Sequence, residues 1–104
     1  MSGTERVRGT AQVRLSGLLV CASAGEAELV QRYLPGHTAL TRSGPACLSF
    51  EVRPTSDPLV WQVVELFADE AGFAGHQERA AASEWGRATA HIERRYTVEL
   101  AERR

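Results

Sequence analysis

The sequence predicts an α+β domain of ferredoxin-like order, β-α-β-β-α-β, in which one antiparallel sheet of four strands carries its helices on one face. Three observations carry this. Between Pro45 and Phe67 two apolar runs flank a turn bracketed by prolines, the pattern of a β-hairpin. Ahead of them, Ser23-Ala24-Gly25-Glu26 is a capping box, with Ser23 as N-cap and Glu26 at N3. After them, Asp69 offers an N-cap to a helix that aligns Phe73, His76, Gln77 and Ala80 on one face.

The elements follow in order. Residues 1–11 are polar and contain glycine, and are expected to be a flexible tail; 12–99 form the domain, and 100–104 a second tail. Val13 to Ala22 reads as the first strand, apolar on both faces from Leu18 onward. The helix after Ser23 takes its buried stripe from Leu29, Val30, Tyr33 and Leu34. Pro35 is expected to interrupt it, with a further turn through His37 and Leu40, because proline suits a first helical turn. In the hairpin, Leu48, Phe50 and Val52 alternate with Cys47, Ser49 and Glu51. Pro54-Thr55-Ser56-Asp57-Pro58 supplies the turn, and Leu59 to Phe67 the second hairpin strand. Ser83 caps a short helix with Trp85, Ala88, Thr89 and Ile92 on one face, and Ile92 to Glu99 is the last strand.

The third strand is apolar on both sides: Val60, Val64 and Leu66 on one, Trp61, Val63 and Phe67 on the other. Helices cover one face of such a sheet. In a chain of 104 residues the other needs a second layer, most simply the sheet of a twin subunit. The sequence therefore predicts a homodimer joined through sheet faces.

Composition narrows the chemistry. A net charge of −1 makes no electrostatic case for nucleic acid or an anionic membrane. The chain has no lysine, which removes Schiff-base chemistry, a P-loop and a lysine base, and no asparagine, so a carboxamide must come from Gln12, Gln31, Gln62 or Gln77. Cys21 and Cys47 sit among apolar neighbours and read as buried, reduced thiols, without ligand spacing for zinc. No signal-peptide core or membrane-length apolar run is present, so a cytoplasmic protein is expected. Abundant arginine and alanine beside scarce isoleucine suggest a GC-rich bacterial genome.

CLSFEV (Cys47–Val52), WQVVELF (Trp61–Phe67) and the set Ala71, Phe73, His76, Gln77 and Arg79 resemble the antibiotic biosynthesis monooxygenase domain, in its quinol monooxygenase branch. LPGHTALTR (Leu34–Arg42), SEWG (Ser83–Gly86) and RRYTV (Arg94–Val98) are also similar, so the likeness keeps order over residues 13 to 98. It implies a dimeric α/β barrel of ferredoxin-like units. Gly44-Pro45-Ala46-Cys47 stands where the family usually has Glu-Pro-Gly-Cys, so a carboxylate is missing. Where many members have a second histidine ahead of an aromatic, Glu84 precedes Trp85, after a longer loop. The haem-degrading sibling branch relies on a first-strand asparagine that this chain lacks.

The resemblance makes His76 the candidate base, against a plain core histidine, and the strand position of Glu65 makes it the carboxylate that orients His76 or itself has a raised pKa, against a bridge to Arg42 or Arg94. An unpaired carboxylate in an apolar strand costs several kcal/mol, so Glu65 must be paired, protonated or beside a wet cavity. Trp61, Phe67, Phe73 and Trp85 are candidate walls for a flat aromatic; His37 and Arg79 are further binding candidates. The implied activity is oxidation of a quinol, anthrone or related aromatic polyketide by O2 without metal, flavin or haem. The alternative is a non-catalytic dimer that binds small aromatics or serves in stress; an isomerase or cyclase on the same pocket stands behind it.

Overall fold

A computed structural model describes residues 11–101. Four strands, β1 (Gln12–Val20), β2 (Cys47–Pro54), β3 (Val60–Phe67) and β4 (Glu93–Ala101), form one antiparallel sheet in the order β2-β3-β1-β4. Helices α1 (Ala24–Arg42), α2 (Glu70–Ala82) and α3 (Glu84–Thr89) pack on one side of it. The ferredoxin-like reading therefore holds. The first ten residues of the expected N-terminal tail lie outside the described residues, while Ala11 is buried beside β1. β4 runs past the expected end at Glu99, because Leu100 pairs with Val13 and Ala101 with Gln12.

Side-chain alternation sorts the sheet cleanly. Val13, Leu15 and Leu19 of β1 and Trp61, Val63, Glu65 and Phe67 of β3 point under the helices and are buried. Leu18, Val20, Val60, Val64 and Leu66 form a half-buried stripe on the opposite face, where no helix lies. Leu48 departs from the expected inward pattern: a register shift between Cys47 and Ser49 leaves it half exposed, whereas Phe50 stays fully inside.

Pro35 does not interrupt α1, which runs 19 residues with the proline inside it. Both halves bury the same face, Val30 before the proline and His37 and Thr41 after it, and that shared burial outweighs the one lost N–H donor. Ser23 caps the helix as expected, its hydroxyl accepting from the Glu26 amide at 3.2 Å while Glu26 Oε1 accepts from the Ala22 amide at 2.7 Å. The segment before Trp85 is not a longer loop either. α2 continues to Ala82, and Ser83 alone separates it from α3.

Candidate functional site

Between the helices and the sheet lies a cavity of about 340 Å³ with a mixed lining. Its apolar share comes largely from Leu15, Phe50, Val52, Val63 and Trp85; its polar groups are His37, Glu65, His76, Gln77, Arg94 and Tyr96. Each side chain arrives there for a local reason. Glu65 occupies an inward position of β3 between Val63 and Phe67. His76 sits on α2, whose N-cap Asp69 accepts from the Gly72 amide at 2.7 Å. His37 comes from the α1 turn beyond Pro35, and Trp85 from α3.

His76 Nε2 lies 3.6 Å from Glu65 Oε1, and both side chains are almost fully buried. The separation is within ion-pair range but too long for a good hydrogen bond, and Glu65 Oε1 has no hydrogen-bond partner. Burial pushes the Glu65 carboxyl up to about 7, partly offset by the Arg94 guanidinium. Burial also lowers the His76 imidazole, with the charge of Arg79 adding to the effect. The expected bridge from Glu65 to Arg42 or Arg94 does not form. Arg42 donates to the Phe50 carbonyl at 2.8 Å, and Arg94 donates to the carbonyls of Thr89 and Ile92 and to Thr89 Oγ1 at 2.6, 2.9 and 2.9 Å. Those carbonyls sit on the same or adjoining segments and need donors, whereas a long reach to Glu65 would strand them.

His37 is buried, 6% exposed, and stacks on Trp85 with centroids 4.7 Å apart and planes 5° off parallel. Burial, His76 and Arg94 together hold its imidazole down to about 4, so it is neutral at pH 7. Burial raises the Tyr96 hydroxyl to about 12, so it remains a donor; Arg94 beside it opposes the shift and Glu65 adds to it.

Of the candidate site residues named from sequence, His37, Glu65, His76 and Trp85 meet in this cavity, and Gln77 from the His76 face of α2 joins them. Phe67 instead lies against the His76 ring at 4.8 Å and Phe73 against Phe67 at 5.6 Å, so they support the histidine rather than line the space. Trp61 belongs to the core cluster with Leu15, Leu19 and Val30. Arg79 is exposed on α2 and acts on His76 through its charge. Sequence reasoning missed Tyr96 and Phe50 as lining groups. The signal for Tyr96 was its position two residues after Arg94, hence on the same strand face.

The antibiotic biosynthesis monooxygenase family model matches residues 21–88. The chain belongs to that family. The match runs from the end of β1 through Trp85, so it spans His37, Glu65 and His76 and stops short of β4. No curated protein matches the chain. Among solved structures, one titled a putative antibiotic biosynthesis monooxygenase from Deinococcus radiodurans has 22% identity and a TM-score of 0.73, with 86% of this chain and 91% of that one covered. A second of the same description, from Nitrosomonas europaea, has 16% identity and a TM-score of 0.69, with 90% of each chain covered. A Bacteroides thetaiotaomicron protein of unknown function, titled a possible oxidoreductase, has 14% identity and a TM-score of 0.69 over 89% of this chain and 98% of its own. At such identities these antibiotic biosynthesis monooxygenase likenesses establish the shared fold.

Proposed function

We propose that this antibiotic biosynthesis monooxygenase-family chain oxidises an electron-rich phenol, a quinol or anthrone, with O2 and without a resident cofactor. The observation that carries the reading is the buried His76–Glu65 pair opening on a cavity with apolar walls. His76, neutral at pH 7, takes the phenolic proton, and the Glu65 carboxyl 3.6 Å away, ionised as the pH rises through about 7, stabilises the imidazolium that forms. The phenolate then supplies the electrons. An anthrone CH2 becomes a carbonyl, with one oxygen atom retained and the other leaving as water with the two hydrogens. A quinol becomes a quinone, with O2 leaving as hydrogen peroxide. Tyr96 and Arg94 line the same cavity as donors able to steady a developing anion.

The stripe of Leu18, Val20, Val60, Val64 and Leu66 supports a homodimer joined through its sheet faces, which we place in the cytoplasm. Among the described residues no helix is long and apolar enough to cross a membrane. The second reading, a small-aromatic binder without turnover, is favoured by Gly44 and Glu84, which stand where family members have a carboxylate and a second histidine. An oxygen electrode with a panel of quinols and anthrones separates the two. His76→Ala is expected to abolish O2 uptake while aromatic binding persists; uptake unchanged in that variant would remove His76 from the mechanism.

A further inference from the structure

His37 and His76 reach the cavity from different helices, and their ring centroids stand 5.8 Å apart with the planes tilted by 36°. Both side chains are more than nine-tenths buried. Neighbouring aromatics hold each ring in place: His37 is stacked on Trp85 and meets Phe50 edge-on at 5.3 Å, and His76 lies against Phe67. His76 takes the phenolic proton; His37 has no part in that step.

We propose that His37 binds the substrate directly, accepting a hydrogen bond from a hydroxyl that neighbours the one His76 deprotonates. The substrate is then a phenol with two adjacent oxygens, ortho to each other on a quinol or in peri positions on the enol of an anthrone. The proposal rests on the reading that a phenol occupies the cavity, and it adds the placement of a second oxygen.

Three observations support it. His37 Nδ1 is buried without a hydrogen-bond partner, and an unpaired buried polar atom is costly. A phenylalanine would fill the same place between Trp85 and Phe50 without that cost, so packing alone does not account for an imidazole there. The spacing then limits what the two imidazoles can hold. A ring sandwiched between two others needs about 9 Å, twice the closest centroid spacing of packed aromatics. At 5.8 Å no substrate ring passes between His37 and His76, so both must meet it along one edge. Oxygens on adjacent ring carbons lie about 2.7 Å apart, a single hydrogen-bond length, and present one to each imidazole, whereas para hydroxyls point away from opposite ends of the ring. Finally, His37 is neutral at pH 7, held down to about 4 by burial, His76 and Arg94, and a neutral imidazole keeps one nitrogen as an acceptor.

Anaerobic calorimetric titration with 2,3-dihydroxynaphthalene, 2,7-dihydroxynaphthalene and 2-naphthol tests this, because the three share one ring system and differ in the second hydroxyl. The native chain should bind the 2,3-diol at least about tenfold more tightly than the other two, the worth of one added buried hydrogen bond. His37→Phe keeps a flat ring against Trp85 and removes the acceptor. It should bring the 2,3-diol down to the level of 2-naphthol and leave 2-naphthol itself unchanged, a selective loss that damaged packing would not produce. Should that variant fail to fold, 3-methoxy-2-naphthol puts the same question to the native chain: lacking the second O–H, it should bind no more tightly than 2-naphthol. A native chain that does not distinguish the two diols, or a preference that survives His37→Phe or the methyl ether, would overturn the assignment while 2-naphthol still binds. If no probe binds the native chain, the small-aromatic reading fails, and the role of His37 with it.

Discussion

Replacing Glu65 by glutamine keeps the shape of the side chain and removes its titration. In the folded chain the carboxyl is raised from its ordinary 4.5 to about 7 because burial penalises the charged form. A carboxyl that holds its proton more tightly folded than unfolded stabilises the fold fully below pH 4.5. That stabilisation is lost as the pH rises through about 7. At about 1.4 kcal/mol per pKa unit, the loss between these limits is about 3 kcal/mol. This is an upper bound, since His76 at 3.6 Å can take up a proton and offset part of it. The Glu65→Gln chain carries no such cost. Urea unfolding of both proteins at pH 5 and pH 8 measures most of the effect, and the variant should gain on the native chain by up to about 2.5 kcal/mol between the two. A difference that stays flat across that range would mean that Glu65 is already ionised, or already protonated, throughout, and the account of the site would be wrong.

The same pair predicts a rate profile: kcat/KM for a quinol should climb with pH through about 7 as Glu65 ionises, and Glu65→Gln should remove that rise while slowing turnover about tenfold to a hundredfold. Gly17 of β1 has φ +151°, and a Cβ there would collide with the Arg95 carbonyl of β4, so Gly17→Ala should cost more than about 2 kcal/mol by chemical denaturation. Gly86 lies flush against the carbonyls of Ala80 and Ala81, so Gly86→Ala should push α3 outward and shift the fluorescence of Trp85, even where the chain stays folded.

The local signals that were legible in the sequence are those with short-range causes. Caps at Ser23, Asp69 and Ser83 announced their helices, and each serine or aspartate oxygen accepts the expected amide three residues on. Alternation in β3 sorted its residues into two faces, and the structure turns the face of Trp61, Val63, Glu65 and Phe67 toward the helices. What could not be read depends on distant partners. Pro35 stays inside α1 because His37 and Thr41 find burial under the same helix face, and nothing adjacent in the chain announces that. The bulge at Leu48 is a matter of pairing with β3, and Trp61 looked like a pocket wall because its strand spacing does not reveal how far along β3 the cavity extends. His76 and Glu65 were legible because a polar residue at an inward position is conspicuous. Tyr96 was not, since an aromatic on a strand is ordinary core material.

Ser83 ends α2 and begins α3 at once, its hydroxyl donating to the Ala80 carbonyl at 2.7 Å and accepting from the Gly86 amide at 3.2 Å. One side chain thus sets the angle between the helix that carries the base and the helix that carries the indole. Laboratory evolution toward bulkier compounds would therefore meet a bottleneck at this joint. A residue inserted beside Ser83 would re-aim both walls in one step, a larger jump than trimming side chains around the cavity one by one.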